Sequence, residues 1–296
     1  MARRTDLGDA NCAIAQALDV VGDWWTLLIV RDTARGVHRF DDLQRELGMS
    51  RKVLAERLKL LVDAGVLSRE PYQQRPPRHE YRLTPRGRAL LPVLVALQDW
   101  GDAWILGDGE PPMTTATAAE GSREAGRVHD LIGTKVPPLT LPGADGLAHD
   151  PVADAAFTVL YCFPGAYAQR ESYPPGWADI PGATGCTLES CTYRDRLAEF
   201  TAAGAVVHGV SGQRPDEQRA FAAKERLRFP LLSDADLTLT AALRLPTFRA
   251  GGTTRLKRLT LVIGPDRVIH EALYPIADIT QSVDAALAAV RAMSCR

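Results

Sequence analysis

The chain is poor in cysteine, close to neutral in net charge, and without a long apolar run. Its five cysteines (Cys12, Cys162, Cys186, Cys191 and Cys295) are few and odd in number, which argues against a secreted disulfide scaffold. No stretch of about 18 apolar residues occurs, so no membrane span is expected. The opening Met1-Ala2-Arg3-Arg4-Thr5-Asp6 lacks the apolar core of a secretory signal, and a bacterial-type cytoplasm is the expected compartment. The formal net charge of −1 gives no general attraction to nucleic acid or membrane. Over residues 1–107 basic residues exceed acidic ones by only 16 to 14, so any nucleic-acid interface must rest on where the charges stand. The six histidines show no ligand spacing; neither a metal nor another cofactor is expected.

A length of 296 residues suits two domains of ordinary size. The segment 107–127, with Pro111-Pro112 and a Thr/Ala run, has little apolar periodicity and reads as a linker or weakly ordered stretch. The expected division is therefore 1–107, a linker at 108–130, and 131–296.

Before the linker the pattern is mostly helical. Ile14, Leu18, Val21, Trp25 and Leu28 follow helical spacing, and a shorter helix is expected over 39–47. Gly48-Met49 makes a turn, Ser50 is placed to cap a helix running to Ala64, and Gly65 ends it. Strand-like runs 67–72 and 79–83 flank a Pro-rich hairpin tip. Thr84-Pro85 opens a last helix striped by Leu90, Leu94, Leu97, Trp100 (or Gly101) and Trp104. Helix, turn and helix followed by a hairpin is a geometry that reads duplex DNA, with the second helix in the major groove. Ser50, Arg51, Lys52 and Arg57 lie near the start or on one side of that helix, Arg39 precedes the motif, and Arg75 and Arg78 stand at the hairpin tip to meet phosphates. The same charges on a helical protein–protein module would be an ordinary solvated face.

Several motifs here resemble the HxlR family of bacterial regulators. They are Cys12-Ala13-Ile14-Ala15, Val21-Gly22-Asp23-Trp24-Trp25, Arg39-Phe40, Leu54-Ala55-Glu56-Arg57-Leu58, Ala64-Gly65-Val66-Leu67, Glu80-Tyr81-Arg82-Leu83-Thr84 and Gly87-Arg88-Ala89-Leu90. The resemblance implies a winged helix-turn-helix homodimer on double-stranded operator DNA, with the striped last helix and the first helix as the dimer surface. It also makes Cys12 a candidate redox sensor, although Ala13 stands where the family usually has proline. The plainer reading of Cys12 is a small buried apolar residue.

After the linker the period changes. A buried strand is expected over 157–164, then a helix after Cys186, a strand over 205–210, a helix over 216–227, strands over 259–263 and 268–273, and a closing helix over 279–293. Such alternation implies a mostly parallel or mixed sheet covered on both faces, an α/β architecture of the thioredoxin-like type. Cys162, inside an apolar strand, is read as core, and Cys295 as a mobile free thiol. Cys186, behind Gly185 and at the start of a helical pattern, has the placement that favours a thiolate through the helix dipole and free N–H groups. Arg258, on the approach to a strand, is placed to bring a positive charge, and Cys191 to recover a sulfenic acid.

The run Gly185-Cys186-Thr187-x-Glu189-x-Cys191 with Tyr193-Arg194-Asp195, the segment Phe229-Pro230-Leu231-Leu232-Ser233-Asp234, and Arg258-x-Thr260-Leu261-Val262-Ile263 resemble peroxiredoxins of the Q type. The resemblance implies Cys186 as peroxidatic, Cys191 as resolving and Arg258 as activating, with peroxide as substrate and a thioredoxin-type reductant. It departs where the family has a proline seven and a threonine three residues before the cysteine: Asp179 and Ala183 stand there, and Thr184 comes one place late. Pro164 is the candidate for the displaced proline, which makes 166–180 an insertion. Three functions stay open: a redox-responsive DNA-binding regulator; a thiol peroxidase with an appended winged helix; and a regulator whose redoxin-like domain only binds a ligand.

Overall fold

The computed structural model describes residues 11–106 and 115–294, so Cys295 and the Pro111-Pro112 region lie outside the described residues. Contacts divide the chain into Met1–Leu94 and Val95–Arg296.

The first unit holds helices α1 (Ala13–Val21), α2 (Trp24–Ala34), α3 (Phe40–Leu47), α4 (Arg51–Asp63) and α5 (Pro85–Arg88), strands β1 (Leu67–Gln73) and β2 (Arg78–Leu83), and the start of α6 (Leu91–Trp104). The helical spacing expected of Ile14, Leu18, Val21, Trp25 and Leu28 is divided between two helices at Gly22-Asp23, because the Asp23 carboxylate caps a new helix by accepting from the Trp25 N–H at 2.9 Å. Gly48, at φ +62°, ends α3 in the left-handed conformation that costs glycine least. Ser50 Oγ then accepts from the Val53 N–H at 3.3 Å and opens α4. Leu54, Leu58 and Leu61 turn inward onto Ile29, Val30 and Leu43, and the antiparallel β1–β2 hairpin closes the unit.

The second unit is built on a five-stranded mixed sheet. The strands of the unit in chain order are β3 (Leu141–Pro142), β4 (Ala148–His149), β5 (Phe157–Cys162), β6 (Ala205–Ser211), β7 (Leu231–Ser233), β8 (Thr247–Ala250), β9 (Thr253–Leu256), β10 (Leu259–Ile263) and β11 (Ile269–Leu273). The main sheet runs β11-β10-β5-β6-β7, with β5, β6 and β7 parallel and β10 antiparallel to both its neighbours; β3–β4 and β8–β9 are separate hairpins. The period of two assigns residues to two cores. Leu160 and Cys162 face one layer, with α7 (Arg123–His129) and α11 (Thr238–Leu243). Val159, Tyr161 and Phe163 face the other, with α8 (Cys186–Asp195), α9 (Leu197–Ala202), α10 (Pro215–Glu225) and α12 (Ile279–Ser294).

Part of the segment expected to be weakly ordered is a helix. In α7 the Ser122 side chain caps the Ala125 N–H, Ala125 and Val128 enter the first core, and Glu124 pairs at 2.9 Å with the buried Lys257. Two buried side chains sufficed where no longer apolar stripe was available to reveal the helix. Within this same unit, Asp99 accepts from Thr247 Oγ1 at 2.8 Å and Asp102 pairs with Arg127, so its contacts begin well before residue 131. No single helix among the described residues is long and apolar enough to cross a membrane.

Candidate functional site

Cys186 is the first residue of α8 and 3% exposed. The turn that delivers it requires Gly185, which sits at φ +94° with its Cα against Ile279; an added Cβ would lie 2.3 Å from Ile279 Cδ1. Gly185→Ala is therefore expected to lower stability by about 1–3 kcal/mol through backbone strain alone, measurable by urea denaturation; an unchanged midpoint would show that the turn can relax.

Arg258, in the link between β9 and β10, is 4% exposed and reaches three groups. Its Nη2 stands 3.4 Å from Cys186 Sγ and donates to the Thr184 carbonyl at 2.9 Å, while Nη1 forms an ion pair with the Glu189 carboxylate. Residues 72 apart in sequence thus meet at the sulfur. Glu189, one turn along α8, is fully buried, and its second oxygen, Oε1, has no partner among the described residues. Burial pushes this carboxyl up to about 7, against the pull of Arg258. Burial also pushes the Cys186 thiol up; the Arg258 guanidinium and the Gly165 N–H oppose this, and Glu189 adds to it. The expected lowering of the thiol is not what this geometry yields, because desolvation outweighs a guanidinium whose charge Glu189 shares.

Thr184 takes part through its carbonyl, while Ala183, three residues before the cysteine, is fully buried and accepts a weak S–H bond from Cys186 at 3.4 Å. Cys191 is half-buried, its Sγ 3.5 Å from Glu225 Oε2; burial pushes its thiol up and Arg194 opposes. Cys162 is fully buried in the opposite core, where burial pushes its thiol well up.

Residues 166–180 form a wall beside the thiol. Gln213 holds the backbone of Ala166 with two 2.8 Å hydrogen bonds, and two short 3-10 turns, Arg170–Ser172 and Trp177–Asp179, follow. Tyr167, Tyr173, Trp177 and Phe248 make a chain of ring contacts at 4.9–6.3 Å. Between this wall and Cys186 lies a pocket of about 460 Å³, whose lining includes Arg170, Tyr173, Pro174, Trp177, Thr184 and Thr187. Sequence reading singled out the insertion but missed Glu189, Arg170 and Arg255 as site groups. Glu189 carried a signal, since a helical repeat returns it to the face of Cys186.

In the first unit the expected DNA-contacting residues fall into two sets. Lys52, Arg75 and Arg78 are exposed, with no ion pair among the described residues, and Ser50 is the α4 cap. Arg51 pairs with Asp41 at 2.9 Å yet remains exposed. Arg39 pairs with Glu80 at 3.1 Å and lies over the Tyr72 ring, joining α3 to the hairpin. Arg57 is half-buried and paired with Asp23 at 2.8 Å, so its guanidinium serves the α2–α4 packing. Cys12 is exposed at the N-cap of α1 rather than buried.

An HxlR-like helix-turn-helix model matches residues 20–108, and an AhpC/TSA family model matches 180–272. An HTH-type transcriptional regulator of Mycobacterium tuberculosis is 46% identical over 101 residues; the match covers 34% of this chain and 64% of that protein's length. The HTH-type transcriptional regulator YtfH of Escherichia coli is 40% identical over 91 residues, 30% of this chain and 72% of that one. Among solved structures, peroxidoxin BcpB from Mycobacterium tuberculosis aligns over 55% of this chain and 97% of its own, with 29% identity and a TM-score of 0.46. The chain thus belongs to the HxlR-like helix-turn-helix family through its N-terminal part, a DNA-binding regulator domain, and carries an AhpC/TSA-family, peroxiredoxin-like domain behind it.

Proposed function

We propose that the protein is a redox-responsive transcriptional regulator, in which the winged helix holds operator DNA as a homodimer and Cys186 is the oxidant-reactive thiol. The observation that carries this reading is the Cys186 sulfur at 3.4 Å from Arg258, at a helix start and with Cys191 on the same helix, in a chain that also bears a helix-turn-helix regulator domain. The Cys186 thiolate attacks a hydroperoxide: the S–O bond forms as the O–O bond breaks, and the leaving oxygen takes a proton to depart as the alcohol, or as water from hydrogen peroxide. The resulting sulfenic acid condenses with the Cys191 thiol to give a disulfide and water, and a thioredoxin-type dithiol returns both cysteines to thiols. Exposed Ile14, Leu18 and Trp24 on α1 and α2 supply apolar surface suited to a second copy of the chain.

The test uses a labelled duplex selected from a random library with the reduced protein. One equivalent of hydrogen peroxide is expected to change the affinity of the wild type for this duplex, while Cys186→Ser leaves it constant. An equal response in Cys186→Ser would remove the sensor from the second unit. Rapid steady-state peroxide turnover with thioredoxin, without any change in DNA affinity, would favour a thiol peroxidase. On the DNA side, Lys52→Ala is expected to weaken binding by about 1–3 kcal/mol if it reads a base edge. Arg57→Ala should instead lower the thermal midpoint of the first unit, since it removes a partner of Asp23. Unchanged titrations for Arg51→Ala and Lys52→Ala at fixed salt would exclude this docking.

A further inference from the structure

The pocket beside Cys186 is far larger than a peroxide group. A water molecule takes about 30 Å³ of liquid, whereas the pocket measures about 460 Å³, within the range of about 300–1,000 Å³ that accommodates organic ligands. Its walls are flat and apolar where Tyr173, Pro174 and Trp177 face it. Close to the sulfur the donors are Arg258 and the Gly165 N–H, and the neighbouring side chain of Ala183 is a methyl packed against the Trp177 cluster. A small peroxide would be held there by a guanidinium already committed to Glu189. Orientation must then come from the rest of the substrate, through binding energy gained away from the reacting atoms.

The charges of the wall say what that remainder carries. Arg170 lines the pocket, is exposed, and has no ion-pair partner among the described residues. Among the described residues Arg255, 7% exposed, donates only to neutral acceptors: the Ala250 and Pro164 carbonyls, Tyr167 Oη and Thr253 Oγ1. Its guanidinium lies 5.0 Å from the centre of the Trp177 ring. A Cβ built on Gly165, itself a lining residue, would stand 3.1 Å from Arg255 Nη1. A buried guanidinium without a carboxylate is costly, and the aromatic face offsets only part of that cost. Arg255 therefore positions Trp177 and biases the wall toward positive potential, while Arg170 is free to make contact. Asp179 is the one carboxylate in the lining and works against them.

We propose that the substrate of this site is an organic hydroperoxide with a flat apolar body and a carboxylate, the body lying against Tyr173 and Trp177 and the carboxylate meeting Arg170. The proposal rests on the reading of Cys186 as a peroxide-reactive thiol.

The test compares 4-(2-hydroperoxypropan-2-yl)benzoic acid with its methyl ester on the full-length reduced protein at low salt. Cys186 oxidation is followed by quenched alkylation and mass spectrometry. The wild type is expected to react about tenfold faster with the acid, within the range that charged clefts give to ionic substrates. That ratio should fall to near one in Arg170→Gln and rise in Asp179→Asn. Equal rates for acid and ester in the wild type, or a ratio that persists in Arg170→Gln, would overturn the proposal. If hydrogen peroxide still oxidises Cys186 in those cases, only the substrate class is wrong. If no hydroperoxide oxidises Cys186, the reading beneath it falls as well.

Discussion

Arg258→Met should destabilise the second unit by about 3–5 kcal/mol, the usual cost of removing one partner from a buried ion pair. The group it leaves is the Glu189 carboxyl, fully buried and with Oε1 unpartnered among the described residues, which must take up a proton or stay charged without a partner. The double variant Arg258→Met/Glu189→Leu removes both charges and should recover most of the stability. It should not recover reactivity, because the thiol then keeps its burial and loses the guanidinium at 3.4 Å. Urea midpoints separate the two effects from iodoacetamide alkylation rates, measured with Cys12, Cys162, Cys191 and Cys295 replaced. A single Arg258→Met variant as stable as the wild type would mean that Glu189 finds other partners. An alkylation profile with the same midpoint in wild type and double variant would leave Arg258 a purely structural role.

The same pair carries a pH dependence. Glu189 titrates at about 7 in the folded chain and near 4.3 when unfolded, so the folded state binds the extra proton. The associated stability is present below the unfolded value and is lost as pH rises through about 7. Glu189→Gln should therefore flatten the decline in unfolding free energy between pH 5 and pH 8. The ionised form of Glu189 shares the Arg258 guanidinium with the sulfur and raises the thiol through its charge, so Glu189→Gln should also change the pH dependence of Cys186 alkylation.

Much of this site is legible in the amino-acid sequence. The spacing of Gly185, Cys186 and Cys191, the apolar run at 157–164 and the position of Arg258 before a strand place the thiol and its guanidinium together, because strand ends and helix starts meet at one edge of an α/β sheet. The winged helix was equally legible, since Ser50, Gly48, Gly65 and Thr84-Pro85 punctuate it with local chemistry. Three features were hidden for physical reasons. The α1–α2 break depends on one cap at Asp23 inside a continuous apolar pattern. Arg57 stands where a DNA contact would, and only its pairing with Asp23 shows that it is engaged. The direction of the Cys186 shift is set by the burial of the thiol itself, with the Glu189 charge adding to it, and that burial follows from long-range packing and not from the motif itself.

Oxidation with about one equivalent of hydroperoxide is expected to link Cys186 and Cys191 within one chain and to melt the first turn of α8. In an intact helix two residues five apart are separated by about 7.5 Å along the axis and about 140° around it, beyond the roughly 7 Å Cα limit of a disulfide. Cys186 accordingly faces the pocket and the sheet, while Cys191 lies toward Glu225 on α10. Closing the bond must break the Glu189 N–H to Gly185 carbonyl hydrogen bond of 2.9 Å, and it displaces Ser190 from Tyr161 Oη and Glu189 from Arg258. If the disulfide forms, a reaction at one sulfur becomes loss of a buried polar network, the kind of two-state change a regulator requires. Amide exchange should show protection lost at Glu189, Ser190 and Cys191 on oxidation, with no such loss in Cys191→Ser, where dimedone instead captures the Cys186 sulfenic acid. A disulfide formed through Cys12 between two chains, with Cys186 still open to alkylation, would place the sensor in the first unit and leave the α8 pair without a signalling role.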